Sequence, residues 1–95
     1  VKAATVDQAA RKVIEAFGLG DAFPHATGHG VGLEIHEQPR VGAGEQTRLT
    51  SGMVITIEPG AYVEGVGGVR IEDLLLVTKT GCEILSRTPR RLRIL

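Results

Sequence analysis

The chain has 95 residues, 42% of them hydrophobic and 23% charged, which fits one small domain and excludes a disordered chain. Eleven Lys and Arg balance eleven Asp and Glu, and this zero net charge excludes a general attraction to nucleic acid or anionic lipid. No apolar run approaches the roughly 20 residues of a membrane helix, so we expect no membrane partner. The single cysteine, Cys82, cannot form an internal disulfide, which favours a reducing compartment, and we expect the cytoplasm.

The first segment has the apolar spacing of an amphipathic helix. The residues on its stripe are Val6, Ala9, Ala10, Val13, Ile14 and Phe17. Thr5 and Gln8 have the spacing of a capping box, and Asp7 would then lie in the first turn, where the helix dipole favours a negative charge. Gly18 and Gly20 suit the end of this helix.

Glycines interrupt the next segment, residues 21–52, too often for a stable helix. We predict a short extended segment near residues 25–34, ended by Pro39, and then an exposed loop over residues 40–52.

After Gly52 the pattern changes to that of strands. We predict a strand over 54–57 that stops at Pro59, a continuation over 61–64, a long buried strand over 69–78 and a last strand over 82–86. A helix followed by a mostly antiparallel sheet predicts an α+β fold.

Four charged residues interrupt the apolar runs of these strands: Glu58, Arg70, Glu72 and Asp73. A carboxylate at the end of a buried strand is costly unless a partner offsets its charge. One interpretation is an internal salt bridge from Arg70 to Glu58 or Asp73.

All three histidines, His25, His29 and His36, lie within one glycine-rich stretch of twelve residues. A lone histidine is more often structural, but three among glycines suggest that backbone approaches a site closely. Together with the carboxylates on later strands they form a mixed donor set. Such a set suits borderline or hard divalent ions such as Mn²⁺, Co²⁺ or Zn²⁺, and it is not a thiolate site.

The sequence reads HATGHGVGLEIHEQP over residues 25–39, GMVITIEPG over 52–60 and GVRIED over 68–73. In this order the three segments resemble the motifs of the pita-bread metallopeptidases. The form of the last motif resembles the Xaa-Pro peptidase branch (prolidase and aminopeptidase P). The methionine aminopeptidase branch usually has a histidine where this chain has Asp73.

The resemblance implies a two-metal hydrolase, commonly with Mn²⁺ or Co²⁺, whose ligands are two Asp, one His and two Glu. Carried over by motif, the metal ligands in this chain are His29, Glu58 and Glu72, and Glu72 bridges both ions.

The same resemblance implies roles for three further residues. His36 corresponds to a catalytic histidine that contacts the substrate and the reacting carbonyl. His25 corresponds to a histidine that lines the substrate pocket, and Arg70 to an arginine beside the bridging carboxylate, so we assign both to substrate binding. The implied substrate is an Xaa-Pro dipeptide or peptide, and we expect a homo-oligomer.

The two Asp ligands of the family come from strands upstream of His29, and no counterpart is visible here. Asp7 falls on the predicted helix, and Asp21 follows its glycine-rich end. Because the chain also starts at Val1 without an initiator, we expect residues 1–95 to be the C-terminal half of a catalytic domain, inactive alone and holding at most one metal ion.

Two alternatives stay open at this point. The chain could be a catalytically inert fragment or binding module that keeps the motifs without completing the metal site. It could also be a structural domain in which Arg70, Glu58 and Glu72 form a buried ion network.

Overall fold

The computed structural model describes all 95 residues, Val1–Leu95. It contains one α-helix, a short 3-10 helix at Gly20–Ala22, and seven strands. In chain order these are α1 (Ala3–Ala16), β1 (Gly28–Gly30), β2 (Glu37–Val41), β3 (Val54–Ile57), β4 (Gly60–Val63), β5 (Gly67–Arg70), β6 (Asp73–Val77) and β7 (Cys82–Ile84). One helix followed by antiparallel strands confirms the predicted α+β class. With 14 residues, α1 is too short to span a membrane.

Five strands form one antiparallel sheet in the order β2-β1-β3-β6-β7, and β4 pairs with β5 in a separate hairpin. Helix α1 packs on this sheet through a small core of Ala3, Val41 and Ile55. The rest of its apolar stripe is not covered, since Val13 is 60% and Phe17 79% exposed. Much of the apolar surface predicted to be buried therefore faces outward.

The helix begins at Ala3, two residues before the predicted cap at Thr5. Its first N–H groups find acceptors in a distant loop, because Ala3 N–H donates to Thr47 O at 2.8 Å and Ala4 N–H to Glu45 O at 3.0 Å. The capping-box prediction is wrong, because these tertiary contacts satisfy the N–H groups that a side-chain cap would otherwise serve. No acidic residue lies in the first turn, so the placement of Asp7 there is wrong as well.

Pro39 does not end the first extended segment but lies within β2. That strand is at the edge of the sheet, where a missing N–H removes no ladder hydrogen bond. The predicted exposed loop over 40–52 is wrong at its start, because Val41 belongs to β2 and is fully buried.

The long buried strand predicted over 69–78 is wrong, because the chain bends between β5 and β6. The facing chain bends at the same level, after β3. In the paired register, Ile57 faces Asp73 on one side of the bend and Gly60 faces Arg70 on the other. The two bends therefore place residues 58–59 opposite residues 71–72, and both predicted Glu ligands lie at this junction.

Candidate metal centre

Three elements bring the predicted ligands together. His29 is the middle residue of β1, Glu58 follows β3, and Glu72 lies between β5 and β6. His29 N–H donates to Thr56 Oγ1 at 3.1 Å, and Glu58 N–H donates to Thr27 O at 2.6 Å. These two hydrogen bonds join the chain at and just before His29 to the end of β3 and the residue after it, and thereby fix the separation of His29 and Glu58.

The glycines beside His29 are required by close backbone approach. A Cβ on Gly28 would collide with the carbonyl oxygen of Thr56, and one on Gly30 with that of Gln38. Strand β1 is therefore pressed between its two neighbours, as the glycine-rich stretch suggested.

The ligand atoms of His29, Glu58 and Glu72 all lie within 4.8 Å of one another, and no other group of this kind occurs in the structure. His29 Nε2 is 3.3 Å from Glu58 Oε2, and each side chain is only 16% exposed. His29 Nδ1 lies 2.9 Å from Gly30 O, and because a carbonyl only accepts, Nδ1 carries the proton. In the neutral ring Nε2 then has the free lone pair, and because it faces Glu58, His29 can bind a metal ion through this nitrogen.

In this cluster the negative charges of Glu58 and Glu72 are only partly compensated by nearby positive charge. Partial burial raises the pKa of Glu72, and the negative charge of Glu58 raises it further, while Arg70 and His29 oppose the shift. A divalent cation would supply the missing charge, and one imidazole with two carboxylates suits Mn²⁺, Co²⁺ or Zn²⁺. The residues present therefore fit a divalent metal ion.

The internal salt bridge considered for Arg70 does not form. No ion pair joins it to Glu58 or Asp73, and the Asp73 carboxylate instead pairs with Arg90 at 3.1 Å. The buried ion network of the structural alternative therefore lacks its arginine.

His36 lies beside the cluster without joining it. Its ring centroid is 4.3 Å from that of His29, and the residue is exposed. Both rings line a cleft of about 620 Å³ together with Glu58, Arg70 and Glu72. This position lets His36 face a molecule in the cleft.

His25 lines an adjoining cavity of about 370 Å³ that also contacts His29, His36 and Arg70. Its Nδ1 donates to Ala26 O at 2.7 Å, which leaves Nε2 to accept from Tyr62 Oη at 2.9 Å. The sequence analysis missed Tyr62. A signal existed, because it is the only tyrosine and stands four residues after Glu58.

The structure thus brings all six predicted site residues to one region, and their chemical roles stay predictions. Asp7 and Asp21 are not among them. Asp7 is 1% exposed and bound by Arg11 and Thr27, whereas Asp21 is exposed on the 3-10 helix.

The chain is similar in sequence and in structure to known metallopeptidases. Residues 1–79 match the model of the metallopeptidase family M24. Over 92 residues the chain is 52% identical to the Xaa-Pro dipeptidase of Pyrococcus horikoshii. The aligned region covers 97% of the chain and 26% of that protein. The prolidase from Pyrococcus furiosus superposes with a TM-score of 0.92 and 52% identity over 95% of the chain and 27% of that structure. The Xaa-Pro dipeptidase from Bacillus anthracis superposes with a TM-score of 0.98 and 45% identity over 100% of the chain and 27% of that structure.

The chain spans about a quarter of the length of the curated relatives it matches. Structures of prolidases match it over nearly its whole length, which confirms both the fold class and the resemblance to the pita-bread metallopeptidases. Because the family model covers residues 1–79 of 95, the chain belongs to the metallopeptidase family M24, whose members are divalent-metal-dependent peptidases.

Proposed function

We propose that residues 1–95 are the C-terminal half of the catalytic domain of an exopeptidase that hydrolyses Xaa-Pro peptide bonds with a metal-activated water. The observation that carries this proposal is the cluster of His29, Glu58 and Glu72, whose ligand atoms lie within 4.8 Å of one another in an open cleft. The relative from Pyrococcus horikoshii, an Xaa-Pro dipeptidase, supports the choice of reaction.

The partial domain is supported by the burial of the chain. Only 12 of 95 residues are buried, and several large apolar side chains are exposed. An apolar groove of about 520 Å³ also runs along the sheet beside Val6, Ile57 and Leu75. A further part of the domain would cover this surface, and we propose that copies of the whole protein associate.

His29, Glu58 and Glu72 would hold the metal, with Mn²⁺ or Co²⁺ as the first candidates and Zn²⁺ as a further one. Two bound divalent cations would lower the pKa of a water and stabilise the oxyanion formed when it attacks the peptide carbonyl. The resemblance to the family assigns the bridging role to Glu72, whose pKa is raised by partial burial and by the charge of Glu58, so a bound cation would stabilise its charged form.

The other residues of the cleft would act on the substrate. A neutral His36 would donate an N–H to the developing oxyanion, which its exposed position beside His29 allows. His25 is held in one tautomer by Ala26 O and Tyr62, so it presents a fixed ring to an Xaa-Pro dipeptide or short peptide. Arg70, free of any ion pair, would bind a negatively charged group of that substrate. We propose the cytoplasm as the compartment, since the exposed free thiol of Cys82 suits a reducing one.

A second candidate applies to the 95-residue chain by itself, namely a catalytically inert fragment or binding module. The observation that favours it is the position of the other candidate acids. Asp7 is already bound by Arg11, and Asp21 is remote from the cluster, so the chain offers three ligands. Three ligands carry too little negative charge to hold two divalent cations close together.

The test compares the whole protein with the 95-residue chain. Each is stripped of metal, supplied with Mn²⁺ or Co²⁺, and assayed with an Xaa-Pro dipeptide and a matched Xaa-Ala dipeptide. We expect the whole protein to hydrolyse only the Xaa-Pro substrate and the chain alone to hydrolyse neither and to bind at most one ion. A whole protein that loads metal but cleaves both dipeptides equally would contradict the proposed substrate.

A further inference from the structure

An ion pair on α1 has no part in the function proposed above. Arg11 Nε donates to Asp7 Oδ2 and Arg11 Nη2 to Asp7 Oδ1, both at 3.0 Å, so the guanidinium binds the carboxylate with two parallel hydrogen bonds. Asp7 is 1% exposed, and the side chain of Arg11 is 24% exposed.

Both members of the pair also form hydrogen bonds with the loop that leads into β1. Asp7 Oδ1 accepts from Thr27 Oγ1 at 2.7 Å and from Thr27 N–H at 3.2 Å. Arg11 donates to Phe23 O at 2.8 Å and to His25 O at 3.0 Å, and its guanidinium lies 4.2 Å from the Phe23 ring centroid. A single ion pair therefore fixes the backbone at three alternate residues of this loop.

Two of these three residues, Thr27 and His25, adjoin the candidate site. The carbonyl of Thr27 accepts from Glu58 N–H at 2.6 Å, so one residue separates the Asp7 carboxylate from a predicted ligand. Two residues beyond Thr27 the same backbone carries His29. Arg11 binds the carbonyl of His25, and the ring of this same residue lines the proposed substrate cavity.

Attachment of the helix does not by itself require charges here. Desolvation of a buried ion pair offsets most of its attraction, and two apolar side chains would join helix and loop about as well. What the charged pair adds is direction, because a fork of N–H donors and a carboxylate hold peptide groups at defined positions. Such support of ligand-bearing backbone is the usual role of groups just outside a metal site.

We infer that the Asp7–Arg11 pair positions the site through two separate routes, an inference that rests on the proposed function. Asp7 acts through Thr27 and fixes the His29–Glu58 ligand pair. Arg11 acts through the carbonyls of the loop and fixes the ring of His25 toward the substrate. The first route sets metal affinity, and the second sets substrate binding.

Two conservative variants of the whole protein separate these routes. Thr27→Val keeps the size of the side chain but removes the hydroxyl, and we expect Mn²⁺ affinity, measured by calorimetry on the metal-free protein, to fall about tenfold. Arg11→Lys keeps the charge but loses the fork. We expect it to raise KM for an Xaa-Pro dipeptide about tenfold at saturating Mn²⁺, with Mn²⁺ affinity and kcat nearly unchanged.

Two control variants distinguish positioning from stability. Leu49→Ala weakens the core without touching the loop, and Lys12→Ala removes a neighbouring exposed charge from the same helix. We expect both to keep the wild-type Mn²⁺ affinity and KM. Equal changes in Leu49→Ala and Thr27→Val would overturn the inference, as would wild-type values in both Thr27→Val and Arg11→Lys.

Hydrogen exchange tests the first route without any activity. Thr27→Val should speed exchange of the Glu58 amide, which donates to Thr27, relative to that of Leu75 in β6, whereas Leu49→Ala should affect both alike. A wild-type protein that neither binds Mn²⁺ nor cleaves the dipeptide would refute the proposed function and leave this comparison intact. An unchanged Glu58 amide in Thr27→Val would overturn the positioning role of Asp7.

Discussion

Two carboxylate clusters, on either side of Thr27, have opposite electrostatics. Burial alone would raise the pKa of Asp7, but the hydrogen bonds of Arg11 and Thr27 and the charge of Arg11 outweigh it and hold that pKa below 3.8. At Glu72, partial burial and the charge of Glu58 instead raise the pKa above 4.5. A carboxylate satisfied by protein donors needs no further positive charge, whereas one that faces a second carboxylate is stabilised by a proton or by a bound cation.

This comparison assigns the two clusters different tasks. The Asp7 cluster is complete within the chain and holds a loop in place. The Glu72 cluster lines an open cleft, where we propose that it holds a metal ion. Variants in the second cluster should therefore remove function and keep the fold, while variants in the first should lower stability and shift metal affinity or KM without removing the reaction.

The largest effect is expected from Glu72→Gln in the whole protein. The amide keeps the size of the side chain but removes the charge that would bridge two cations. Hydrolysis of an Xaa-Pro dipeptide should fall about 1,000-fold, which corresponds to roughly 4 kcal/mol of lost charge stabilisation, while the melting temperature changes little. The exposed Glu64 provides a matched control as Glu64→Gln, which should be fully active. Near-normal turnover of Glu72→Gln with both metals bound would contradict the bridging role.

A comparison of two histidines sharpens the account inside the second cluster. His29→Ala should lose bound metal, because it removes a ligand. His36→Ala should keep its metal and lower kcat about 100-fold, because it removes only a donor to the oxyanion. Metal content by atomic emission beside steady-state kinetics makes the distinction, and equal metal loss in both variants would show that the roles are not separate.

Much of this arrangement could be predicted from the sequence where the signal is local, and the two main failures have different physical causes. Strand β3 was predicted with its observed bounds, because its run of β-branched residues and Pro59 are local signals. The bend at residues 71–72 was not, because apolar residues on both sides mimic one continuous strand. The start of α1 was missed because carbonyls of Glu45 and Thr47, far along the chain, supply its acceptors.

In the candidate site, too, the residues within recognisable motifs could be predicted, and the contacts between distant residues could not. Motif resemblance predicted His29, Glu58 and Glu72 and the structure places them together, although 43 residues separate the first from the last. The hydrogen bond between Thr27 and Asp7 joins residues 20 positions apart, and no sequence motif predicts it. Asp7 and Arg11 have the spacing of an ordinary helical surface pair, and only tertiary packing buries the carboxylate.

A smaller effect is expected from Asp7→Asn, which should lower the free energy of unfolding by about 2 kcal/mol at pH 7. Removal of one member of a buried ion pair leaves the other unpaired, but Arg11 is 24% exposed and water reduces that penalty. Urea denaturation of wild type and variant measures this difference.

The pH dependence of that difference tests its cause. Because the pKa of Asp7 is lower in the folded chain than its ordinary value of 3.8, its stabilisation is present above that value and is lost as the pH falls through the lowered folded value. The gap between wild type and Asp7→Asn should be constant above about pH 5 and shrink in more acidic solution. A gap that stays constant into strong acid would mean that the charge of Asp7 contributes nothing.

The most direct test of the account is to locate Mn²⁺ by its anomalous scattering in crystals of the whole protein. We predict a peak within about 2.3 Å of His29 Nε2 and of carboxylate oxygens of Glu58 and Glu72, and none at Asp7. A peak at Asp7, or an ordered Mn²⁺ elsewhere with the Glu58–Glu72 cluster left without metal, would contradict it.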